Sequence, residues 1–228
     1  MAVFDAWPAM QLELISTKRC PFVQRSVITL NYKGIEHQMV FVDLDDPPQW
    51  FQAISPLGRV PVLRVDGKTV IFESAVINEF LDDVTPPSLH PADPLQRALN
   101  KSWIEFGGTC CSLTFQLMVA PDRQSFDDTV EQLATNLSQV EAVFGAGPYF
   151  NGAEFSLIDA AYAPIFIRLD VFSELLDLQI LDELPKMRAW ASKLLAMPAV
   201  QSARVAELPD LFRDLITSRN AYAKNRLH

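Results

Sequence analysis

The stretch Lys18-Arg19-Cys20-Pro21-Phe22-Val23, "KRCPFV", places a cysteine directly before a proline. An apolar run, "QLELIS" at residues 11–16, precedes it, and a segment with helical spacing follows. If Pro21 opens a helix, Cys20 stands at or just before the N-cap. The first N–H groups of a helix lack intrahelical partners and act as about half a positive charge. That field favours a thiolate and can draw a cysteine pKa from ~8.5 toward ~3.5–7.5. Lys18 and Arg19 add to it. On position alone two readings of Cys20 stand: a small packed apolar residue, or a nucleophilic thiol. Position 23, where a C-x-x-C pair would carry its second thiol, is Val23. Redox chemistry at Cys20 would therefore be monothiol, with an external thiol resolving the intermediate.

Two further pairs could hold a ligand. Val60-Pro61, in "GRVPVL", opens a strand, where proline cannot donate a ladder hydrogen bond. It is either an ordinary edge-strand proline or a cis peptide that turns the Val60 backbone toward a peptide-like ligand. Glu73-Ser74, in "FESAV", reads either as a plain helix cap or as a binding pair. In the second case the Ser74 hydroxyl and the helix N–H groups meet a carboxylate, and Glu73 holds an ammonium group. A zwitterionic amino-acid end needs both.

Other chemistry-bearing residues read as structural. Ser156-Leu157-Ile158-Asp159 has the capping-box form, a cap that contributes ~1 kcal/mol. Cys110-Cys111 lies in an apolar helical run and reads as core. His37, His90 and His228 are scattered without metal spacing, so neither a metal nor a general base is expected from them. Trp50, Trp103 and Trp190 read as core or interface residues.

The elements that must position these groups change character along the chain. Leu12–Ser16 predicts a strand, and Pro21–Lys33 a helix with Val23, Val27 and Leu30 at helical spacing and Gly34 at its end. Residues 38–42 predict a strand, and a short helix falls near Trp50. "VPVLRV" and "TVIF" flank Asp66-Gly67-Lys68, a strong hairpin signal. A helix over 74–84 follows. The order is β-α-β-α-β-β-α. A proline-rich segment, "DDVTPPSLHPADPLQ", then leads into stretches with helical patterning at 95–118, 127–144, 157–172, 185–196 and 209–225. The expected organisation is an α/β domain at 10–86, a linker at 87–94 and an all-helical domain at 95–228.

The 228 residues are 49% apolar, enough for a real core. The net charge is −9 and no basic stripe appears, which argues against nucleic acid and anionic membranes as partners. Three cysteines do not make a secreted disulfide framework. No charged stretch followed by an apolar one opens the sequence, so a leader peptide is not expected, and no apolar run reaches ~18 residues. A soluble cytoplasmic protein is the expectation.

"CPF" at a first helix, "GRVPVL", "FESAVINEFLDD", a proline-rich linker and a helical half resemble the cytosolic glutathione transferases, in particular the cysteine-containing omega-like group and related bacterial enzymes. The resemblance is specific over residues 12–84 and general in shape beyond Leu95, apart from the cap at Ser156 and Asp159. It implies a thioredoxin-like N-terminal domain, a helical C-terminal domain and a homodimer. It also implies a reactive Cys20 thiolate and a cis Val60-Pro61 with Val60 pairing to the cysteinyl backbone of glutathione. Glu73 and Ser74 would hold the γ-glutamyl end, and Phe22 would line the thiol pocket. Omega-like enzymes often carry a lysine in the loop after the second strand. Here the matching position is Pro47, beside Asp45 and Asp46, with Arg59 as a substitute contact for the glycyl carboxylate.

The implied activity is glutathione-dependent thiol transfer or reduction. Glutathione is the cosubstrate, and a small electrophile or disulfide is the acceptor. By analogy the acceptor sits against the helix of Phe106, Cys110 and Phe115 and the helix of Tyr162 and Arg168. A conjugating transferase or thioether lyase is the enzymatic alternative. A transferase-like scaffold that binds partner proteins, of the stringent starvation protein A type, is the non-enzymatic one.

Overall fold

The computed structural model describes residues 10–228. The expectation of no leader at the start of the chain lies outside the described residues. The first half runs β1 (Leu12–Ser16), α1 (Pro21–Lys33), β2 (Gln38–Phe41), α2 (Gln49–Ile54), β3 (Val62–Val65), β4 (Thr69–Phe72) and α3 (Ser74–Asp83). The strands form one mixed sheet in the order β2-β1-β3-β4. β1 is parallel to β2 and antiparallel to β3, and β3 is antiparallel to β4. The βαβαββα order is as the pattern predicts, and the sheet has the thioredoxin-like arrangement that the family resemblance implies.

Register decides what meets at one end of this sheet. Ile15 pairs with Val62, and Val62 pairs with Phe72. The chain therefore leaves β1 toward Cys20 where it enters β3 from Val60-Pro61 and where it leaves β4 at Glu73. Three stretches separated by tens of residues converge because two antiparallel ladders fix them side by side. The hairpin that sets the second ladder turns at Asp66 and Gly67, with φ of 52° and 67°. Two consecutive left-handed residues are what a type I′ turn requires.

The second half is helical: α4 (Pro94–Val119), α5 (Arg123–Val143), α6 (Leu157–Leu176), α7 (Pro185–Leu195), α8 (Pro198–Gln201), α9 (Leu208–Ser218) and a 3₁₀ turn at Tyr222–Arg226. Three expectations need correction. α5 starts four residues before the expected 127, because the Asp122 carboxylate caps it by accepting from Ser125 N at 2.8 Å. The helix expected over 209–225 stops at Ser218, and Asn220, with φ 49°, turns the chain. The short α8 was not foreseen. Among the described residues, no helix is long and apolar enough to cross a membrane.

α6 is the axis of this half, and 17 of its residues are buried. Its start is held by the Ser156–Asp159 capping box, as its pattern predicts. α1 lies between α6 and the sheet, so its polar residues are buried too: Gln24, Arg25, Ser26 and Thr29. Thr29 Oγ1 donates back to Arg25 O within the helix and Ser26 Oγ has no partner among the described residues, whereas Gln24 and Arg25, with half-buried Asn31, are matched across the two halves. Gln24 Nε2 donates to Ala203 O at 3.3 Å, Arg25 Nε to Ala161 O at 3.0 Å and Asn31 Nδ2 to Ala199 O at 3.3 Å. Buried donors need such partners, so these bonds fix how the helical half sits over the Cys20 turn. At the opposite end of α1, the Lys33 ammonium meets Asp82 at 2.7 Å and Pro87 O at 2.9 Å. Asp82 also accepts from Ser88 Oγ and Leu89 N, which ties the connecting segment to the sheet domain.

Candidate active site

Cys20 is the N-cap of α1, with extended backbone (φ −74°, ψ 120°), and Pro21 follows in the first turn. Gly34 ends the helix in the left-handed conformation, its N–H reaching Leu30 O and Asn31 O. Cys20 is half-buried, and its Sγ lies 3.6 Å from Val60 O as a thiol donor. The Val60–Pro61 peptide is cis.

Two cavities meet at Phe22. One, of about 120 Å³, is lined by Phe22, Arg59, Val60, Pro61, Glu73 and Ser74, together with Ser55, Pro56, Leu57 and Phe72. All six residues that the sequence reading places around a glutathione share this wall. The other, about 370 Å³ and mostly apolar, has Cys20, Arg19 and Phe22 on one side and Cys111, Phe115, Met118, Arg168 and Leu215 on the other. The geometry is that of a polar slot opening beside a thiol, with an apolar chamber beyond it. A larger cavity of about 650 Å³ lies between the linker and the loop before α6, and contains none of these residues.

The slot is well supported. Ser55 Oγ accepts from Arg59 N and donates to Arg59 O, both at 2.9 Å, and so closes the loop before Val60. Glu73 sits at φ 68°, a backbone state costly for any residue with a Cβ and concentrated at functional sites. It takes the N-cap position expected for Ser74, and Ser74 becomes the first helical residue. The shift follows from β4, which ends at Phe72 and leaves one residue to make the corner.

The comparisons with known proteins bear on this geometry. A model of the glutathione S-transferase N-terminal domain matches residues 19–84, and one of the C-terminal domain matches residues 123–191. Glutathione S-transferase omega-1 of Sus scrofa is 32% identical over 222 residues, which cover 96% of this chain and 88% of that protein. This chain belongs to the glutathione S-transferase family. Glutathione S-transferase L1 of Arabidopsis thaliana is 33% identical over 189 residues, 79% of this chain and 76% of its own. Among solved structures, glutathione transferase Omega 3C from Trametes versicolor superposes with a TM-score of 0.75 at 30% identity, covering 87% of this chain and 90% of that one.

In this glutathione S-transferase the thiol does not have the depressed pKa that a helix N-terminus predicts. Burial pushes Cys20 up, and the N–H of Val23, the Arg168 charge and the N–H of Phe22 oppose the push without cancelling it. The helix field is present as expected. The apolar chamber that desolvates the sulfur is assembled only when the helical domain closes over it.

Both helices expected on the acceptor side, α4 and α6, border the chamber. Phe115 and Arg168 line the chamber, whereas Phe106, Cys110 and Tyr162 do not. Phe106 packs edge-on against Trp103, and Tyr162 Oη donates to Trp103 O at 2.9 Å. Cys110 is fully buried, and burial raises its thiol to about 12. Its neighbour Cys111 faces the chamber instead. One position along a helix turns a side chain by ~100°, so adjacent cysteines cannot share a face. Leu44, Met118 and Leu215 were missed, because nothing local marks an apolar residue as lining a cavity. Pro47 lines neither cavity, and its carbonyl accepts from Gln52 Nε2 at 2.7 Å. Arg168 carried a visible signal, an arginine inside the apolar run "AYAPIFIRL". Burial lowers its guanidinium to about 10, so it stays charged at neutral pH.

Proposed function

We propose that this enzyme is a glutathione-dependent thiol transferase of the omega-like type, with Cys20 as the nucleophile. One observation carries the reading: Cys20 lines the chamber two residues before Phe22, the residue that borders both cavities, and stands on a helix N-terminus with its sulfur against the Val60 carbonyl. The lining of the slot supports this reading. Glu73 and Ser74 offer a carboxylate and a helix start to the γ-glutamyl ammonium and carboxylate. The Val60 backbone offers a peptide edge to the cysteinyl residue, and Arg59 a cation to the glycyl end.

Cys20 thiolate attacks the glutathione sulfur of a mixed disulfide. A Cys20–glutathione disulfide forms, the original S–S bond breaks, and the acceptor leaves as a thiolate that takes up a proton. A second glutathione thiolate attacks the glutathione sulfur of that adduct, forming oxidised glutathione and returning Cys20 as thiolate. The net exchange consumes one glutathione thiol and converts the mixed disulfide into the acceptor thiol and oxidised glutathione. The apolar chamber receives the acceptor, and the monothiol course agrees with Val23 at the position of a resolving cysteine.

The raised Cys20 thiol favours a second reading, in which Cys20 stays protonated and donates a hydrogen bond to a glutathione thiolate that attacks an electrophile. Intact mass after exposure to oxidised glutathione separates the two. The expected result is one added glutathione, mapped to Cys20 and removed by reduced glutathione. A folded protein that gains no adduct, yet transfers glutathione to a chlorinated aromatic, would establish the conjugating reading instead. The same proposal places the enzyme in a reducing, cytoplasmic setting that suits its free Cys20, Cys110 and Cys111.

A homodimer is part of this reading. Phe72, Val76, Leu95 and Leu99 expose apolar surface on β4, α3 and α4. Light scattering is expected to report twice the chain mass, and a monomer at micromolar concentration would remove the dimer from the proposal.

A further inference from the structure

Two arginines are buried beside the Cys20 chamber. Arg25 is 3% exposed and Arg168 1%. Neither enters an ion pair among the described residues. Removing a guanidinium from water without a counter-ion is costly, and folds rarely retain one without use. Arg25 is accounted for: its Nε–H reaches Ala161 O, and Nη2 lies 3.6 Å from Cys111 Sγ. Arg168 is placed differently. Its Nη1 donates to Gln24 Oε1 at 2.6 Å and to Pro164 O at 3.0 Å, and its Nη2 donates to Arg19 O. The last acceptor is the carbonyl of the peptide that leads into Cys20.

We propose that Arg168 is a positioning residue of the Cys20 site: it clamps the Arg19–Cys20 peptide against α6 and stands as the counter-charge to the Cys20 thiolate. The proposal rests on Cys20 as the reacting thiol. With Cys20 neutral, the buried guanidinium has no anionic partner among the described residues. Ionisation of Cys20 supplies one inside the same chamber, where low polarity strengthens the attraction. Gln24 holds the cation from α1, so the charge is fixed between the cysteine's own helix and α6 before any ligand arrives. The other groups around Cys20 do not replace it. Cys111 from α4 raises the Cys20 thiol, and Arg19 borders the chamber but is exposed to solvent. Lys18 is tied to Glu207 at 2.6 Å on the surface, Arg25 meets Cys111, and Glu73 lies across Phe22 in the neighbouring slot.

The test is alkylation of Cys20 by iodoacetamide in the free full-length protein, read on the Cys20 peptide by mass. The series runs from about pH 6 to about pH 10.5, bracketing the ordinary cysteine value near 8.5. Arg168→Met removes charge and clamp, Arg168→Gln removes the charge but keeps an amide donor, and Arg168→Lys keeps the charge. Thermal melting reports folding. Loss of the cation is expected to move the midpoint upward by about one pH unit in the Met and Gln variants and to slow alkylation at neutral pH about tenfold, with the Lys variant near wild type. A folded Met or Gln variant with the wild-type midpoint would overturn the proposal. So would a Lys variant shifted as far as Met, or collapse of the fold in both neutral variants, which would make Arg168 a structural strut. No glutathione enters this assay. A shifted midpoint without any glutathione adduct on the wild type would therefore sink the thiol-transferase reading and leave the role of Arg168 standing.

Discussion

Cys20→Ser is expected to lose at least about 10³-fold in glutathione-dependent reduction of hydroxyethyl disulfide, with an unchanged melting temperature. The loss is chemical. A serine oxygen fits where the half-buried sulfur sits and can keep the hydrogen bond to Val60 O, which the thiol makes at 3.6 Å. It cannot form the mixed disulfide, so both half-reactions vanish together. Cys110 and Cys111 lie within α4, away from any helix N-terminus, and so lack the helix field that activates Cys20. The same variant probes the conjugating alternative. A serine hydroxyl can still donate to a glutathione thiolate, so transfer to a chlorinated aromatic would survive in Cys20→Ser if that were the native chemistry. Reductase activity within tenfold of wild type in the serine variant would sink the proposed mechanism outright.

Asp159→Ala is expected to destabilise the fold by about 4 kcal/mol, measured by urea unfolding. Asp159 is fully buried at the start of α6. Its carboxylate accepts from Phe150 N at 2.9 Å, Ser156 N at 2.8 Å, Ser156 Oγ at 2.6 Å and Trp190 Nε1 at 2.8 Å. Truncation leaves four donors in the interior without an acceptor, among them the indole N–H that orients Trp190. That tryptophan packs on Phe144, Phe150, Tyr162 and Phe166. Asp159→Asn is expected to recover little, because the amide has one acceptor oxygen and turns an NH₂ toward the donors. A loss below about 1 kcal/mol in the alanine variant would show that water or backbone movement satisfies those groups. A sequence reading assigns this residue only the worth of a helix cap, since the contacts from Phe150 and Trp190 come from outside the motif.

The local pattern by itself determined much of this protein. Pro21 and Gly34 mark the ends of α1, Asp66-Gly67 marks the hairpin, and Ser156 with Asp159 marks the start of α6. Each is set by backbone geometry within a few residues, which sequence carries directly. The slot residues Phe22, Arg59, Val60, Pro61, Glu73 and Ser74 stand at the starts of α1 and α3 and at the adjoining ends of β3 and β4, but position alone left their roles open, and the family resemblance named them together. The tertiary structure alone decided the ionisation of Cys20, the face of the cysteine pair that reaches the chamber, and the fate of the polar stripe on α1. Gln24 and Arg25 look in sequence like a solvated helix face, yet both are buried and matched by α6 and the segment after α8. Spacing along one helix shows which residues share a face, but what covers that face is set by packing of a partner far away in the chain. For Cys20 the helix field is a local property and burial is not, so the direction of its pKa is settled by the helical domain that closes over it.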